Sequence, residues 1–381
     1  MSGGRSGRFE RALSAAWTPE RKATATYRAY RGLAAVMGHV PEPAALAGAR
    51  AASRLVLARS DGRRAMYERH LAKVLGRPLD HDEVTAWARR VFANYARYWV
   101  EGARLGSMPG TTVDARMSIE SGYEHLQAAM AGGAGAIVAL PHLGSWEWGG
   151  AWLARRGYPM TAVAEVLEPE DLYRWFVAQR AAIGLTIVPL DRTAGPALLR
   201  TLRGGGLVGL VADRDLLGTG VEVEFFGDAT TMPAGPATLA LRTGAALLPV
   251  AVYQGPGRSH TGVILPPIDT ARTADLRSDV HRVTQQLATA FEGLVRRAPD
   301  QWYCFQPMWP EDHADRAGGT GIVAGGGTAG SDETSTSTST STSTSTSTST
   351  STSTVGLDAA RPGSGGAGFQ SGWRAVRQAR S

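Results

Sequence analysis

Ala136-Ile137-Val138-Ala139-Leu140-Pro141-His142-Leu143-Gly144-Ser145-Trp146-Glu147 is the stretch whose reading decides the fold. Five consecutive apolar residues stop at a proline, and a helical pattern runs from about Trp146 to Arg155, so the unit reads as buried strand, turn and helix. The unit recurs. Thr161-Ala162-Val163-Ala164 precedes a helix from Pro169 to Ile183, and Thr186-Ile187-Val188-Pro189-Leu190 precedes one near Pro196 to Leu202. Leu207-Val208-Gly209-Leu210-Val211 follows, and Ala246 to Val252 comes after a further helix. Alternation of this kind predicts an α/β sandwich with a largely parallel central sheet. Val221 to Phe226 and Thr261 to Leu265 are expected to add edge or antiparallel strands.

Upstream the period is helical from Phe9 to Leu105, broken at Pro41-Glu42-Pro43 and Gly76-Arg77-Pro78. After Asp80-His81-Asp82, which supplies N-cap carboxylates, Trp87, Val91, Tyr95 and Trp99 fall on one helix face. That stripe, flanked by Arg89, Arg90, Arg97 and Arg104, suits either a lipid interface or packing against the next domain, with packing the favoured reading. Downstream of Trp309-Pro310 the sequence turns to Gly, Ala and Asp and then to strict Ser-Thr alternation from Thr334 to Ser353. Such a tract has nothing to bury against the roughly 1–2 kcal/mol per residue that ordering costs, so disorder is expected from about Ala314. The expected organisation is a helical, membrane-proximal module over 1–110, an α/β catalytic domain over 111–313 and a disordered tail over 314–381.

Composition narrows the functional classes. The 381 residues are 43% hydrophobic, enough for a substantial core, and the formal charge is +6. Only Lys22 and Lys73 are lysines among 40 basic residues, so arginine carries the positive charge. That balance favours an anionic partner, whether nucleic acid, anionic lipid or a phosphorylated small molecule. No Lys/Arg run or recognisable module supports nucleic acid. Cys304 is the single cysteine, which excludes an intrachain disulfide or a thiolate metal cluster and suits a reducing compartment. No stretch approaches the roughly 18 apolar residues of a spanning helix, and the basic N-terminus lacks an apolar signal core. Membrane contact is therefore expected to be peripheral.

Ligands of open α/β sheets bind beyond the carboxyl ends of the strands. His142 stands there after one buried run, and Asp213-Arg214-Asp215 after another. If those strands are neighbours, an imidazole meets a carboxylate in a cleft, the pairing a histidine general base needs. Glu147 lies five residues beyond His142 and reaches it only if the histidine sits on the turn before the helix; Gly144 permits that turn and Ser145 suits its N-cap. Ser145 does not fit a nucleophile elbow, because no glycine stands at Glu147. The histidines show no metal-ligand spacing.

The run His142-Leu143-Gly144-Ser145-Trp146-Glu147 resembles the His-x4-acid block of the lipid A biosynthesis lauroyl and myristoyl acyltransferase superfamily. Its actinobacterial branch, the phosphatidylinositol mannoside acyltransferases, is resembled more closely, through Ala164-Glu165, Phe176 to Arg180, Ala212 to Leu216, Gly220 to Gly227 and Met232 to Pro236, with Tyr95 to Trp99 in the helical part. The resemblance spans about Phe9 to Pro310. It implies transfer of a fatty acyl group from acyl-CoA, a co-substrate and not a cofactor, to a mannose hydroxyl of a phosphatidylinositol mannoside. It places the enzyme peripherally on the cytoplasmic face of the cell membrane, against an anionic surface, with no cofactor and no metal.

By position, the resemblance makes His142 the general base, Glu147 its acidic partner and Asp213 the second carboxylate on the histidine. Glu165, Arg180 and Arg214 become substrate-binding candidates, the arginines for phosphate or sugar. Glu147 stands where the family often has Asp, and Asp213 where it often has Glu. Hydroxyl attack on a thioester also needs an oxyanion donor, for which backbone N–H groups near Gly144 or an arginine are the candidates. Phe225-Phe226-Gly227 and Met232 read as core or as the lining of an acyl groove. The alternatives are another glycolipid or a lysophospholipid as acceptor, or a lipid-binding relative without catalysis.

Overall fold

A computed structural model describes residues 39–312, together with 28, 31 and 32. The expected helical stretch before residue 39, apart from those three positions, and the expected disordered tail from about Ala314 lie outside the described residues. Among the described residues, three helices precede the α/β part: α1 (Glu42–Leu57), α2 (Asp61–Leu75) and α3 (His81–Leu105). Their limits follow the sequence: Pro41 precedes α1, Gly76 ends α2 with a left-handed backbone, and Asp80 caps α3 in a reciprocal capping box with Glu83.

The α/β part continues with α4 (Gly110–Arg116), β1 (Met117–Ser121), α5 (Tyr123–Ala131), β2 (Ala136–Leu140), α6 (Trp146–Arg155), β3 (Met160–Ala164) and α7 (Glu170–Ala182). It closes with β4 (Leu185–Pro189), α8 (Ala194–Arg203), β5 (Leu207–Val211), β6 (Val221–Phe225), β7 (Asp228–Met232), α9 (Gly235–Thr243), β8 (Ala246–Gln254), β9 (His260–Ile264) and α10 (Leu276–Arg297). Seven strands form one sheet in the order β1-β9-β8-β2-β5-β3-β4. From β8 to β4 every pairing is parallel; β9 runs antiparallel to β8, and β1 runs parallel to β9. The expected α/β class with a largely parallel sheet is what the chain forms.

Both runs expected as edge or antiparallel strands form antiparallel pairings. The run around Thr261 is an antiparallel strand inside the sheet, because β1 covers its outer edge. Val221–Phe225 leaves the main sheet altogether and pairs with β7 as a separate hairpin.

Strand β2 is buried along its whole length, which explains the unbroken apolar run. Alternate residues serve opposite faces. Ile137 and Ala139 join Val208, Leu210 and the buried side of α10, whereas Ala136, Val138 and Leu140 join Trp148 and Leu153 of α6. A third cluster ties the first helices to the end of the chain: Tyr67, Leu71, Val91 and Phe92 pack on Tyr303. The aromatic stripe of α3 is thus mainly a packing face, with Val91 buried and only Trp99 among its four residues reaching the exposed class.

Ile137 is 0% exposed at the sheet centre, so Ile137→Ala should lower unfolding stability by about 2–5 kcal/mol in urea titrations. Leu217, 66% exposed on a loop, should tolerate Leu217→Ala within about 0.5 kcal/mol in the same measurement.

Candidate active site

Register builds the site. In the β2–β5 pairing Leu140 lies opposite Val211, and the Ala212 N–H donates to the Leu140 carbonyl at 2.8 Å. His142 and Asp213 each stand two residues beyond that pair, so they arrive side by side at the carboxyl end of the sheet. The imidazole Nδ1 lies 2.5 Å from Asp213 Oδ1, and the His142 backbone N–H donates to Oδ2 at 2.9 Å. The indole N–H of Trp302 donates to the same Oδ2 at 2.9 Å. Asp213 is fully buried, while the His142 side chain is 31% exposed, so the imidazole bridges a dry carboxylate and solvent. Its Nε2 has no hydrogen-bond partner among the described residues. An acceptor carboxylate on Nδ1 fixes the proton there and leaves Nε2 as the basic atom.

Burial by itself pushes the Asp213 carboxyl up. The His142 imidazole, the Trp302 indole and the His142 backbone N–H outweigh burial and hold it below the ordinary aspartate value.

The loop that carries His142 behaves as a short extra strand. Gly144 bridges to Val252 on one side and Leu143 to Trp302 on the other. Gly144 adopts φ of 64°, and a Cβ there would come within 2.0 Å of the Val252 carbonyl oxygen, so the turn requires glycine as the sequence suggested. The N–H groups of Leu143, Gly144 and Ser145 already donate to the carbonyls of Pro141, Gln301 and Val252. Both kinds of donor the sequence offered, a backbone N–H farther into the first turn of α6 or an arginine, are compatible with this arrangement. Ser145 stands at the N-cap position of α6 but does not cap it; its buried hydroxyl accepts from Gln254 Nε2 at 3.1 Å.

The remaining sequence candidates are distributed around this pair. Glu147 makes no hydrogen bond with His142. It sits in the first turn of α6, which directs it toward α3 and α7, where Arg180 donates to it at 3.0 Å and Tyr98 joins the same network. The expected Glu147–His142 contact is therefore replaced by a Glu147–Arg180 ion pair. Arg180 is mostly buried, lies over the rings of Trp146 and Phe176, and has its Nε without a partner. Arg214, half-buried beside Asp213, has no hydrogen bond or ion pair among the described residues. Glu165 is exposed directly after β3, the strand next to β5.

Sequence reading missed Trp302 and Gln301. The signal was present in the aromatic density of Gln301-Trp302-Tyr303-Cys304-Phe305, but nothing local says that the indole faces a carboxylate 89 residues away. Phe225, Phe226 and Met232 are core, not groove. A narrow apolar space does exist elsewhere, between α6 and the sheet, lined by Met117, Val138, Trp146, Gly149, Val250 and Gly262 among others. Among the described residues no group of three or more His, Cys, Asp and Glu is arranged to hold a metal.

Comparison with known proteins bears on this geometry. The family described as bacterial lipid A biosynthesis acyltransferase matches residues 17–311, a span that contains every residue of the site described above. A phosphatidylinositol mannoside acyltransferase of Mycolicibacterium smegmatis is 39% identical over 273 residues, covering 71% of this chain and 85% of that protein. Proteins of the same name from two Mycobacterium tuberculosis strains are 41% and 40% identical over 223 residues, covering 58% of this chain and 69% of each relative.

Because its folded-state pKa is depressed, the Asp213 carboxylate contributes stability that is full above the ordinary aspartate range, about pH 4, and is lost as pH falls through the lower native value. Asp213→Asn should therefore be clearly less stable than the parent in urea titrations at pH 7, and the gap should narrow at pH 3.

Proposed function

The chain belongs to the bacterial lipid A biosynthesis acyltransferase family and is an acyltransferase, and on that premise we propose that it transfers a fatty acyl group from acyl-CoA to a mannose hydroxyl of a phosphatidylinositol mannoside, with His142 as general base. One observation carries the base assignment: a buried carboxylate holds Nδ1 of a partly exposed imidazole whose Nε2 has no partner among the described residues. The names of the relatives support the acceptor. In this reading Nε2 accepts the hydroxyl proton as the mannose oxygen attacks the thioester carbonyl. The carbon–oxygen bond forms, the carbon–sulfur bond breaks, and the departing thiolate takes the proton from His142. The products are the mannosyl ester and free CoA, and Asp213 stabilises the transient imidazolium throughout.

The surrounding residues fit supporting tasks. Arg214, unpaired at the cleft, is suited to the oxyanion or to a phosphate of CoA or of the headgroup. Glu165 is placed to accept hydrogen bonds from sugar hydroxyls. Glu147 holds Arg180 in position. The apolar space along α6 starts near Trp146, in the first turn after the His142 loop, and its chemistry suits a fatty chain.

A peripheral position on the cytoplasmic membrane face agrees with two observations. No helix among the described residues is long and apolar enough to cross a membrane. Val166, Leu216 and Leu217 are exposed on the loops after β3 and β5, at the sheet end that carries His142. The chain's net positive charge, carried by arginine, favours an anionic lipid surface as partner.

The test is acyl transfer by the full chain from a long-chain acyl-CoA to a phosphatidylinositol mannoside, read as thiol release together with the mass of the product. His142→Ala should reduce turnover roughly 10²–10⁴-fold. Undiminished turnover in that variant would remove the base assignment. Acylation of a lysophospholipid in preference to the mannoside would replace the acceptor.

A further inference from the structure

The residues 301–303 come from the end of the described chain and run antiparallel to the His142 loop. The Gly144 N–H donates to the Gln301 carbonyl, the Tyr303 N–H donates to the His142 carbonyl, and Leu143 bridges Trp302. The Gln301 side chain pairs with both backbone groups of Gln254 at the end of β8. This strap brings one polar side-chain atom to the catalytic pair, the Trp302 indole nitrogen. Trp302 is 1% exposed, and its ring is fixed by Phe225, Phe226 and His70, with centroids at 6.1, 6.0 and 5.9 Å. A buried indole needs an acceptor for its N–H, and this one is aimed at Asp213 Oδ2.

We propose that Trp302 is a positioning residue for the acyl transfer, acting through Asp213. The inference rests on the reading of His142 as the base. Asp213 has two oxygens and one short arm. One oxygen takes the imidazole; the other takes the His142 N–H and the indole, which fixes the carboxylate plane and so the direction of Nε2. Withdrawing the indole donor leaves the carboxylate freer to rotate and more basic. A more basic carboxylate stabilises the imidazolium more strongly, so His142 becomes harder to deprotonate. The other titratable or charged groups around Asp213 are His142 itself, Cys304 and Arg214, and none replaces the lost donor on Oδ2.

The experiment removes the N–H alone. Benzothienylalanine at position 302 keeps the bicyclic shape and substitutes sulfur for N–H, and Trp302→Phe is the genetic counterpart. Both are assayed in the full chain beside His142→Ala, with Phe225→Leu as a packing control that leaves the indole N–H intact. The expected result is a kcat lower by roughly ten- to hundredfold, a KM for acyl-CoA changed less than about twofold, and an acid limb of the kcat profile moved to higher pH. Phe225→Leu should lower thermal stability and leave the acid limb in place. An unmoved acid limb in the benzothienylalanine protein, or an equal movement in Phe225→Leu, would overturn the role of Trp302 while His142→Ala separately decides the base. Full activity in His142→Ala would instead remove the reading on which the inference rests.

Discussion

Everything at the candidate site depends on keeping an ionised carboxylate away from water. Asp213 is fully buried, and an uncompensated charge there would cost several kcal/mol, so its lone pairs must meet donors. The donors come from two different structural decisions. The imidazole and the His142 N–H arrive through the β2–β5 register, and the indole arrives through the strap at residues 301–303. A slip of one residue in the first would strand the charge, and loss of the second would leave Oδ2 with a single donor. The parallel sheet, the glycine at 144 and the aromatic packing behind Trp302 can all be read as conditions for burying that one group.

The helices before the sheet serve the same end from outside. Tyr67 donates to the Pro299 carbonyl at 3.1 Å, and the Asn94 side chain donates to the Asp300 carbonyl at 3.0 Å, so α2 and α3 hold the approach to the strap. Further on, buried His70 of α2 bonds the Cys304 carbonyl and the Asp312 carboxylate, at 3.0 and 2.8 Å. Asp312 also accepts from the Met308 and Trp309 N–H groups, which close the segment into a turn. Burial raises that carboxyl, and the His70 ring and these two N–H groups bring it below its ordinary value. Opposite the strap, α3 meets β9 through buried Glu101, which binds Arg97 and His260.

Much of this was legible in the sequence because it rests on short-range pattern. Unbroken apolar runs ending in Pro141-His142 and in Ala212-Asp213 identify parallel strands with chemistry at their carboxyl ends. Topology then brings the two ends together. The Asp80 cap and the breaks at Pro41 and Gly76 are equally local signals. What escaped is of two kinds. Met117–Ser121 has one buried residue in five, too little to show as a strand without its partner β9. Glu147 and Trp302 have partners chosen by tertiary packing: the direction of α6 gives Glu147 to Arg180, and a return of the chain gives Trp302 to Asp213. Residue type predicted that Glu147 would pair, but not with what.

The strap also sets an order of events. Chains emerge from the ribosome N-terminus first, so His142 and Asp213 are synthesised well before the tryptophan that completes the carboxylate's set of donors. Until residue 302 is available, the aspartate cannot be sealed in its native surroundings, although the strands on either side already exist. Assembly of the His142–Asp213–Trp302 arrangement thus waits on nearly the whole of the described chain.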